Sequence, residues 1–595
     1  MFLASVLGIF TAMLLVWFIS IIMMVGVLSS LGSAKSMYTL KDNTVLQIDL
    51  DGSISDRGSN DFMAGLFSGG SNKSYQLEDI LKAIKTAKEN PNICGIYIKN
   101  GSMSTGYATL EPIRNALLDF KESGKFIVAF GDYYRQSAYY ISSVADKVII
   151  NPQGMFMLHG MASNTQFVKE MYEKIGIRVQ VFKVGTFKSA VEPYTETKMS
   201  DSNREQVSSY VNSIWSHMLA GISESRGISI DNLNSYADEY MDFSATDKSV
   251  EYGLVDMLMY APNVKDYIKE LAGVDDKGDL RFATVANINS VPTGKLKISK
   301  DEIAVLYAEG TILSGENKSF DAFLENRITD EEYVKELGKL KDNKNVKAIV
   351  FRVNSPGGSV YASDQIWQAV MELKKEKPVI VSMGDLAASG GYYISCAADM
   401  IVAEPTTLTG SIGVFSLIPE GEEMYKKIGW SFDGVKTNKF SDLGFSTGLP
   451  LLDATVRPFN AEEQHIFQAY TDRMYDLFLS RCADGRSKTK EEIDAIGQGR
   501  VWTGSQALQN GLVDKLGSLD DALKIAAEHA QLTDYDVKSY PVKKDPFMQM
   551  IEEMMGGSVK ANLVRSLLGD DVYKQYILVN RKTIPIDIMQ AIMIE

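Results

Sequence analysis

The feature that most constrains this chain is an internal duplication with a constant spacing of 253 residues. Three separated pairs of segments match at this spacing: Gly131-Asp132 with Gly384-Asp385, Tyr139–Ser142 with Tyr392–Ser395, and Ala145-Asp146 with Ala398-Asp399. One offset shared by three separate matches is typical of a tandem repeat. The chain is therefore predicted to contain two copies of the same fold.

Each copy alternates apolar runs with amphipathic segments. In the second copy the predicted strands are residues 348–353, 378–383 and 400–403, and the predicted helices are residues 362–375 and 389–398. Alternation of this kind predicts an α/β fold whose sheets are mostly parallel.

Length and composition agree with two globular domains. The chain has 595 residues, of which 45% are hydrophobic and 23% are charged. We assign residues 35–295 to the first repeat and residues 296–540 to the second. Residues 541–595 break the repeat and are predicted to form a helical tail for assembly or membrane contact. A net charge of −15 without a basic block argues against a nucleic-acid partner.

The first 34 residues carry no charged side chain, and Phe2–Leu31 is mostly apolar. This run exceeds the ~20 residues that cross a bilayer. It is also longer than the apolar core of a secretory signal. Residues 1–34 are therefore predicted to be an uncleaved transmembrane anchor. Lys35 and Lys41 follow the run and no basic residue precedes it, so charge alone leaves the orientation open.

The second repeat holds a serine between two glycines, in the sequence Gly410-Ser411-Ile412-Gly413. Glycines allow backbone angles that expose a hydroxyl beside free N–H groups, as acyl transfer requires. The first repeat has Leu158 at the position of Ser411. Ser411 is therefore the candidate nucleophile.

A pair of glycines, Gly357 and Gly358, follows another predicted strand of the second repeat. Residues 101–106, at the same offset in the first repeat, have no such pair. Paired glycines can donate backbone N–H groups to a developing oxyanion. Candidate nucleophile and candidate oxyanion loop therefore occur together in one repeat.

The base that would activate a serine is harder to assign. Of four histidines, His159 lies next to the position that matches Ser411, but no orienting carboxylate is evident. A lysine acts as a base only when burial lowers its pKa from about 10.4 towards 7–8. Lys188 has small and apolar neighbours, which makes it the first candidate for the base. The alternative interpretation is that Lys188 is a surface lysine paired with Glu192. Lys439, near the equivalent position of the second repeat, is the rival base.

Taken together, these motifs resemble the signal peptide peptidase A family, in its long, tandem-repeat, membrane-anchored bacterial form. The similar segments keep the same order over about residues 40–535: Phe126–Ser142, Leu158–Gly160, Phe182–Tyr194, Ser355–Val360, Leu408–Phe415, Arg500–Gly504 and Gly511–Asp514.

The resemblance implies two repeats with the fold of ClpP and crotonase, and a protease that uses a serine–lysine dyad. The family nucleophile matches Ser411 and the family base matches Lys188, so the site would form between the repeats. Gly357 and Gly358 match the oxyanion loop, and the N–H of Ile412 is the second donor implied. No metal or cofactor is implied.

The implied substrates are signal peptides left in the membrane and other apolar, extended peptides. The implied setting is the bacterial inner membrane, with a single-pass anchor, a periplasmic body and a homo-oligomer, a tetramer in the family. Two alternatives are a crotonase-like acyl-CoA hydrolase and a membrane-anchored scaffold with a vestigial site. Ser389 lies in a segment like the one that holds the ClpP nucleophile; we interpret it as structural or site-lining.

Overall fold

The computed structural model describes residues 38–57, 74–239, 241–274, 280–291, 299–315, 326–448 and 453–542. The predicted anchor and all but two residues of the predicted tail lie outside these ranges. Within the described ranges, no helix is long and apolar enough to cross a membrane.

The first repeat is built on a sheet in which seven described strands pair in parallel. In spatial order they are Ser74–Gln76, Thr44–Ser55, Ile93–Ser104, Phe126–Tyr134, Lys147–Phe156 and Met257–Leu258, with Arg281–Thr284 also pairing to Thr44–Ser55. From Ser74–Gln76 onward, helices lie in the connections between successive strands of the sheet, as parallel pairing requires.

The helices of the first repeat lie on both faces of this sheet. They are Leu77–Glu89, Tyr107–Lys121, Gln136–Ser142, Lys169–Ile175, Glu192–Thr195, Asp201–Arg226, Ile230–Asp238, Thr246–Glu251, Ala261–Leu271 and Val285–Asn289, with 3₁₀ turns at Ser189–Val191 and Met241–Phe243. Successive strand residues point to opposite faces. Leu46 and Ile96 accordingly pack on one face, and Val45 and Tyr97 pack on the other.

The second repeat has a sheet of eight described strands. In spatial order they are Val501–Thr503, Leu408–Gly410, Val379–Ala388, Val346–Ser355, Glu302–Glu309 and Asp536–Tyr540, with Met400–Ala403 joining Val379–Ala388 to Lys515–Leu516. Every pair is parallel except that of Val501–Thr503 with Leu408–Gly410. A separate parallel pair is formed by Thr311–Leu313 and Arg327–Thr329.

Helices cover this second sheet as well: Asp330–Asp342, Val360–Lys374, Gly390–Ser395, Glu422–Lys427, Ala461–Arg486, Lys490–Ile496, Gly504–Asn510 and Leu519–His529. The strands and helices predicted for this repeat are therefore present. The predicted α/β class with mostly parallel sheets is confirmed.

One strand from each repeat forms a two-stranded antiparallel ribbon. Arg178–Val184 of the first repeat pairs with Val414–Glu420 of the second, so that Val184 lies opposite Val414. Antiparallel pairing sets the end of one strand beside the beginning of the other. The chain just after Val184 therefore meets the chain just before Val414.

A second junction between the repeats is a buried ion pair. The Arg352 guanidinium donates to both carboxylate oxygens of Asp56 at 2.7 and 2.9 Å, and the two side chains are 1% and 2% exposed. Arg352 also donates to Ser382 Oγ and to the carbonyl of Met383. Four of the five guanidinium N–H groups and both carboxylate oxygens are thus hydrogen-bonded inside the protein.

We predict that Asp56→Ala lowers the free energy of unfolding by about 3–5 kcal/mol, because it leaves a buried guanidinium uncompensated. The measurement is the midpoint of thermal or urea unfolding. Glu422→Ala is the control, since Glu422 pairs with the exposed Lys426 and its loss should leave the midpoint nearly unchanged. Equal shifts in the two variants would contradict the prediction.

Candidate active site

Lys188 follows the first strand of the ribbon and reaches into the second repeat. Its side chain is buried, at 4% exposure. The amine donates to Ser411 Oγ and to the Ser411 carbonyl, both at 3.0 Å, and to Ser389 Oγ at 3.2 Å. One lysine of the first repeat thus contacts two serines of the second within a single chain.

Burial lowers the pKa of Lys188 to about 8, because the charged ammonium loses its hydration. The interpretation as a surface lysine paired with Glu192 is wrong. Glu192 is itself buried, and its carboxylate accepts hydrogen bonds from Ser200 and Asn203. The partners of the amine are therefore two hydroxyl oxygens and one carbonyl oxygen, and none of these three is a carboxylate.

Two glycines of the second repeat make room for Lys188. Gly499 has φ of +78°, and a Cβ there would lie 2.6 to 2.7 Å from the backbone and Cβ of Lys188. A Cβ on Gly413 would lie 3.1 Å from Lys188 Cδ. The N–H of Phe187 donates to the carbonyl of Gln498 in the same turn. This turn was not predicted from the sequence, where its signal is the glycine on each side of Gln498.

Gln206 fixes the Lys188 loop from the other side and was also missed. It lies on the helix Asp201–Arg226 and is buried. Its amide donates to the Phe187 carbonyl and to Ser189 Oγ, both at 2.9 Å, and accepts from the N–H of Val501. A glutamine in a polar helix gives no sequence signal for such a role.

Both serines adopt left-handed backbone angles, which are uncommon for residues other than glycine. Ser411 has φ of +49°, and its N–H donates to the Arg500 carbonyl at 2.7 Å. Ser389 has φ of +54° and ψ of −118°, at the turn between the strand Val379–Ala388 and the helix Gly390–Ser395. The N–H of Ser389 donates to the Gly410 carbonyl at 2.9 Å, which ties the two turns together.

Gly357, the first glycine of the pair, packs directly on Ser389. Gly357 and Gly358 have φ of +101° and +155°. A Cβ on Gly357 would lie 2.8 Å from Ser389 Cβ and 2.5 Å from the nitrogen of Gly390. These contacts require glycine and bring the loop backbone against the Ser389 turn.

The backbone N–H groups near the two serines differ in whether they already donate a hydrogen bond within the protein. Gly357 donates to Ser355 Oγ at 3.1 Å. Among hydrogen bonds of the described residues, none uses the N–H of Gly358 or of Ile412. Gly390 begins its helix, so its N–H has no acceptor within that helix. Gly358, Gly390 and Ile412 therefore have N–H groups available to a ligand.

The other candidates lie elsewhere. Lys439 is exposed, and its amine pairs with Glu462 rather than with Ser411. His159 is about half exposed and its Nδ1 lies 2.8 Å from Asp242, a carboxylate that sequence analysis did not identify. The structure thus brings Lys188, not Lys439, to the two serines.

Comparison with known proteins agrees with the duplicated fold. Residues 119–275 and 371–533 match peptidase family S49, and residues 308–406 match the Clp protease family. Protease 4 of Salmonella typhi is 35% identical over 88% of this chain and 84% of its own length.

Two further relatives are also named as peptidases. The chloroplastic serine protease SPPA of Arabidopsis thaliana is 31% identical over 83% of this chain and 70% of its own length. A putative signal peptide peptidase SppA of Enterococcus faecium is 30% identical over 44% of this chain and 77% of its own length.

The chain therefore belongs to peptidase family S49. It is a serine protease, and the resemblance drawn from its sequence is confirmed. The alternatives of an acyl-CoA hydrolase and a vestigial scaffold are not favoured by this assignment.

We predict that kcat/KM for a peptide substrate rises with pH to a plateau, with a midpoint at about 8. The reason is that a lysine accepts a proton only when neutral, so activity falls below its pKa. Lys188→Met should be inactive at every pH. At neutral pH it should melt no lower than wild type, because methionine removes an amine that burial desolvates. A flat pH profile, or an active Lys188→Met, would contradict this prediction.

Proposed function

We propose that this protein hydrolyses peptide bonds with a serine that neutral Lys188 activates. The observation that carries the proposal is the buried Lys188 amine at 3.0 and 3.2 Å from two serine hydroxyls. Lys188 would remove the proton of the attacking hydroxyl and then donate it to the leaving amine. Water would release the acyl group in the second half of the reaction.

Of the two serines, we propose that Ser389 is the nucleophile. Gly357 packs on Ser389, and the available N–H groups of Gly358 and Gly390 lie on the two segments that meet there. Such N–H groups stabilise the oxyanion of the tetrahedral intermediate. A strained turn between a strand and a helix also matches the usual setting of a nucleophilic serine. The match to the Clp protease family, residues 308–406, includes Ser389.

Ser411, favoured by the sequence motif, is the alternative nucleophile. In that case the N–H of Ile412 would serve as an oxyanion donor. In the role proposed here, Ser411 accepts hydrogen bonds from Lys188 through both its hydroxyl and its carbonyl. These contacts would fix the amine so that its lone pair faces Ser389.

We propose apolar, extended peptides as substrates, with cleaved signal peptides among them. Phe415 supports this choice, since its ring is partly exposed and centred 5.8 Å from the Lys188 amine. The name of the relative from Enterococcus faecium points to the same substrates. The apolar run Phe2–Leu31 supports a membrane tether. The family resemblance extends this proposal to the bacterial inner membrane, with the body on the periplasmic side and the chain in a homo-oligomer.

The two serines can be distinguished by substitution. Ser389→Ala should lower kcat for an apolar fluorogenic peptide by about 10³-fold or more, as loss of a nucleophile does. Ser411→Ala should retain measurable activity, because it removes one of the two oxygens by which Ser411 contacts the amine. A serine-directed fluorophosphonate should label Ser389, as mapped by peptide mass spectrometry.

Ser480→Ala, on the exposed face of a long helix, is the matched control and should be fully active. Label on Ser411, together with an active Ser389→Ala, would assign the nucleophile to Ser411 instead. Full activity in both variants would overturn the proposed site.

A further inference from the structure

A turn of the second repeat, residues 497–500, packs against the loop that carries Lys188. We call it the Gln498 turn. The Gln498 carbonyl accepts a hydrogen bond from the N–H of Phe187 at 2.8 Å. Gly185 lies so close that a Cβ on it would come within 2.5 Å of the same carbonyl. The backbone of the turn therefore contacts the loop just before Lys188.

The same turn is hydrogen-bonded to the segment that carries Ser411. The N–H of Gly499 donates to the Ile412 carbonyl at 2.7 Å. The Arg500 carbonyl accepts from the N–H of Ser411, also at 2.7 Å. The Gln498 turn thus contacts the lysine loop and the serine segment at once. Any displacement of this turn would change the distance between the two.

The side chain of Gln498 makes a further connection to the lysine loop. Its Oε1 accepts from the N–H of Thr186 at 3.3 Å. Within the described part of the chain, this N–H has no other acceptor. The amide nitrogen of Gln498 donates to the carboxylate of Asp494. An amide can accept from a backbone N–H and donate to a carboxylate at the same time, and both ends of this side chain are used.

Tyr475 and Asp494 anchor Gln498 to the body of the second repeat. The Tyr475 hydroxyl is donated to the same Asp494 oxygen that accepts from Gln498. The hydroxyl oxygen in turn accepts from the N–H of Gln498 at 3.1 Å. Tyr475 is buried on the helix Ala461–Arg486, and Asp494 lies on the helix Lys490–Ile496. Two helices of the second repeat therefore hold one glutamine.

Glutamine adopts here a backbone conformation that favours glycine. Gln498 has φ of +53°, in the left-handed region that is uncommon for other residues. A glycine would adopt the same angle without a steric cost. The contacts of the side chain with Thr186 and Asp494 explain why a glutamine is useful at this position.

We propose that Gln498 is a positioning residue, which holds the Lys188 amine against Ser389 and Ser411. Without its amide, the N–H of Thr186 would need water as an acceptor, and the loop would separate from the turn. Water would then reach the amine. A hydrated amine keeps its proton to a higher pH, so fewer molecules would hold it in the neutral form. The inference rests on the proposed role of Lys188 as the base.

The first test is Gln498→Gly, which removes the amide and keeps the left-handed turn. In the full chain, kcat/KM for a peptide substrate is measured against pH. Its midpoint should rise from about 8 by roughly one pH unit or more, towards the value of about 10.4 for a solvated lysine, with KM unchanged. One unit corresponds to a loss of about 10-fold at pH 7, which should shrink as the pH rises.

The matched control is Gln531→Gly. Gln531 is exposed and has φ of +55°, so the same substitution is made at the same backbone angle, in a different turn. It should leave the midpoint unchanged. An unchanged midpoint in Gln498→Gly, or an equal rise in Gln531→Gly, would overturn the proposal.

Asp494 provides a test by rescue. Asp494→Ala removes the acceptor of the Gln498 amide and should raise the midpoint in the same direction. Asp494→Asn keeps an acceptor oxygen in a side chain of similar size and should return the midpoint towards that of the wild type. A purely structural role would lower the unfolding temperature of Gln498→Gly and leave its midpoint in place, which would contradict the proposal.

A second readout needs no peptidase activity. Lys188 is acetylated with acetic anhydride over a series of pH values, and its peptide is quantified by mass spectrometry. The anhydride reacts with the neutral amine, so Gln498→Gly should show a higher midpoint and, above it, faster labelling. Label on the variant alone would also support the proposal, because the loop would have opened. Equal curves, or no label on either protein, would overturn it. A shifted curve in a chain whose activity does not depend on Lys188 would contradict the proposed function and leave this inference standing.

Discussion

The site depends on the removal of one lysine amine from water. Lys188 could not act as a base if it stayed solvated, and no single repeat buries it. The ribbon brings it across the junction, Gly499 and Gly413 let the two backbones close over it, and Gln206 holds its loop. The ribbon and the glycine contacts join the two repeats, and Gln206 does so through the N–H of Val501. The low pKa of the Lys188 amine therefore depends on the docking of the two repeats.

The duplication also explains why the first repeat keeps its fold without a complete site. Its sheet has a buried apolar core like that of the second repeat, yet Gln136 and Leu158 occupy the positions that Ser389 and Ser411 occupy in the second. What the first repeat contributes is the buried amine of Lys188 and the surface that presents it. The Asp56–Arg352 pair adds a second fixed point, so the angle between the repeats is determined at two places.

Much of this could be predicted from sequence. The 253-residue offset indicates the two repeats, and hydrophobic alternation indicates the strands. Both patterns can be recognised in the sequence without knowledge of any tertiary contact. The sequence did not decide between Lys188 and Lys439 as the candidate base, because the burial of a lysine side chain depends here on the ribbon and not on its neighbours in sequence. Spacing likewise could not show that the glycine pair packs on Ser389, because that contact joins two loops. Gln206 carried no signal, because its role arises entirely from tertiary contacts.

The separation of base and serines along the chain has a consequence for synthesis. Lys188 and Ser389 are 201 residues apart, which at ribosomal rates of 5–20 residues per second is roughly 10 to 40 seconds. Throughout that interval the emerging polypeptide holds an amine without its hydroxyls. Even after release, proteolysis must wait until the two halves dock. A chain whose two halves have not docked therefore holds the amine and the hydroxyls apart.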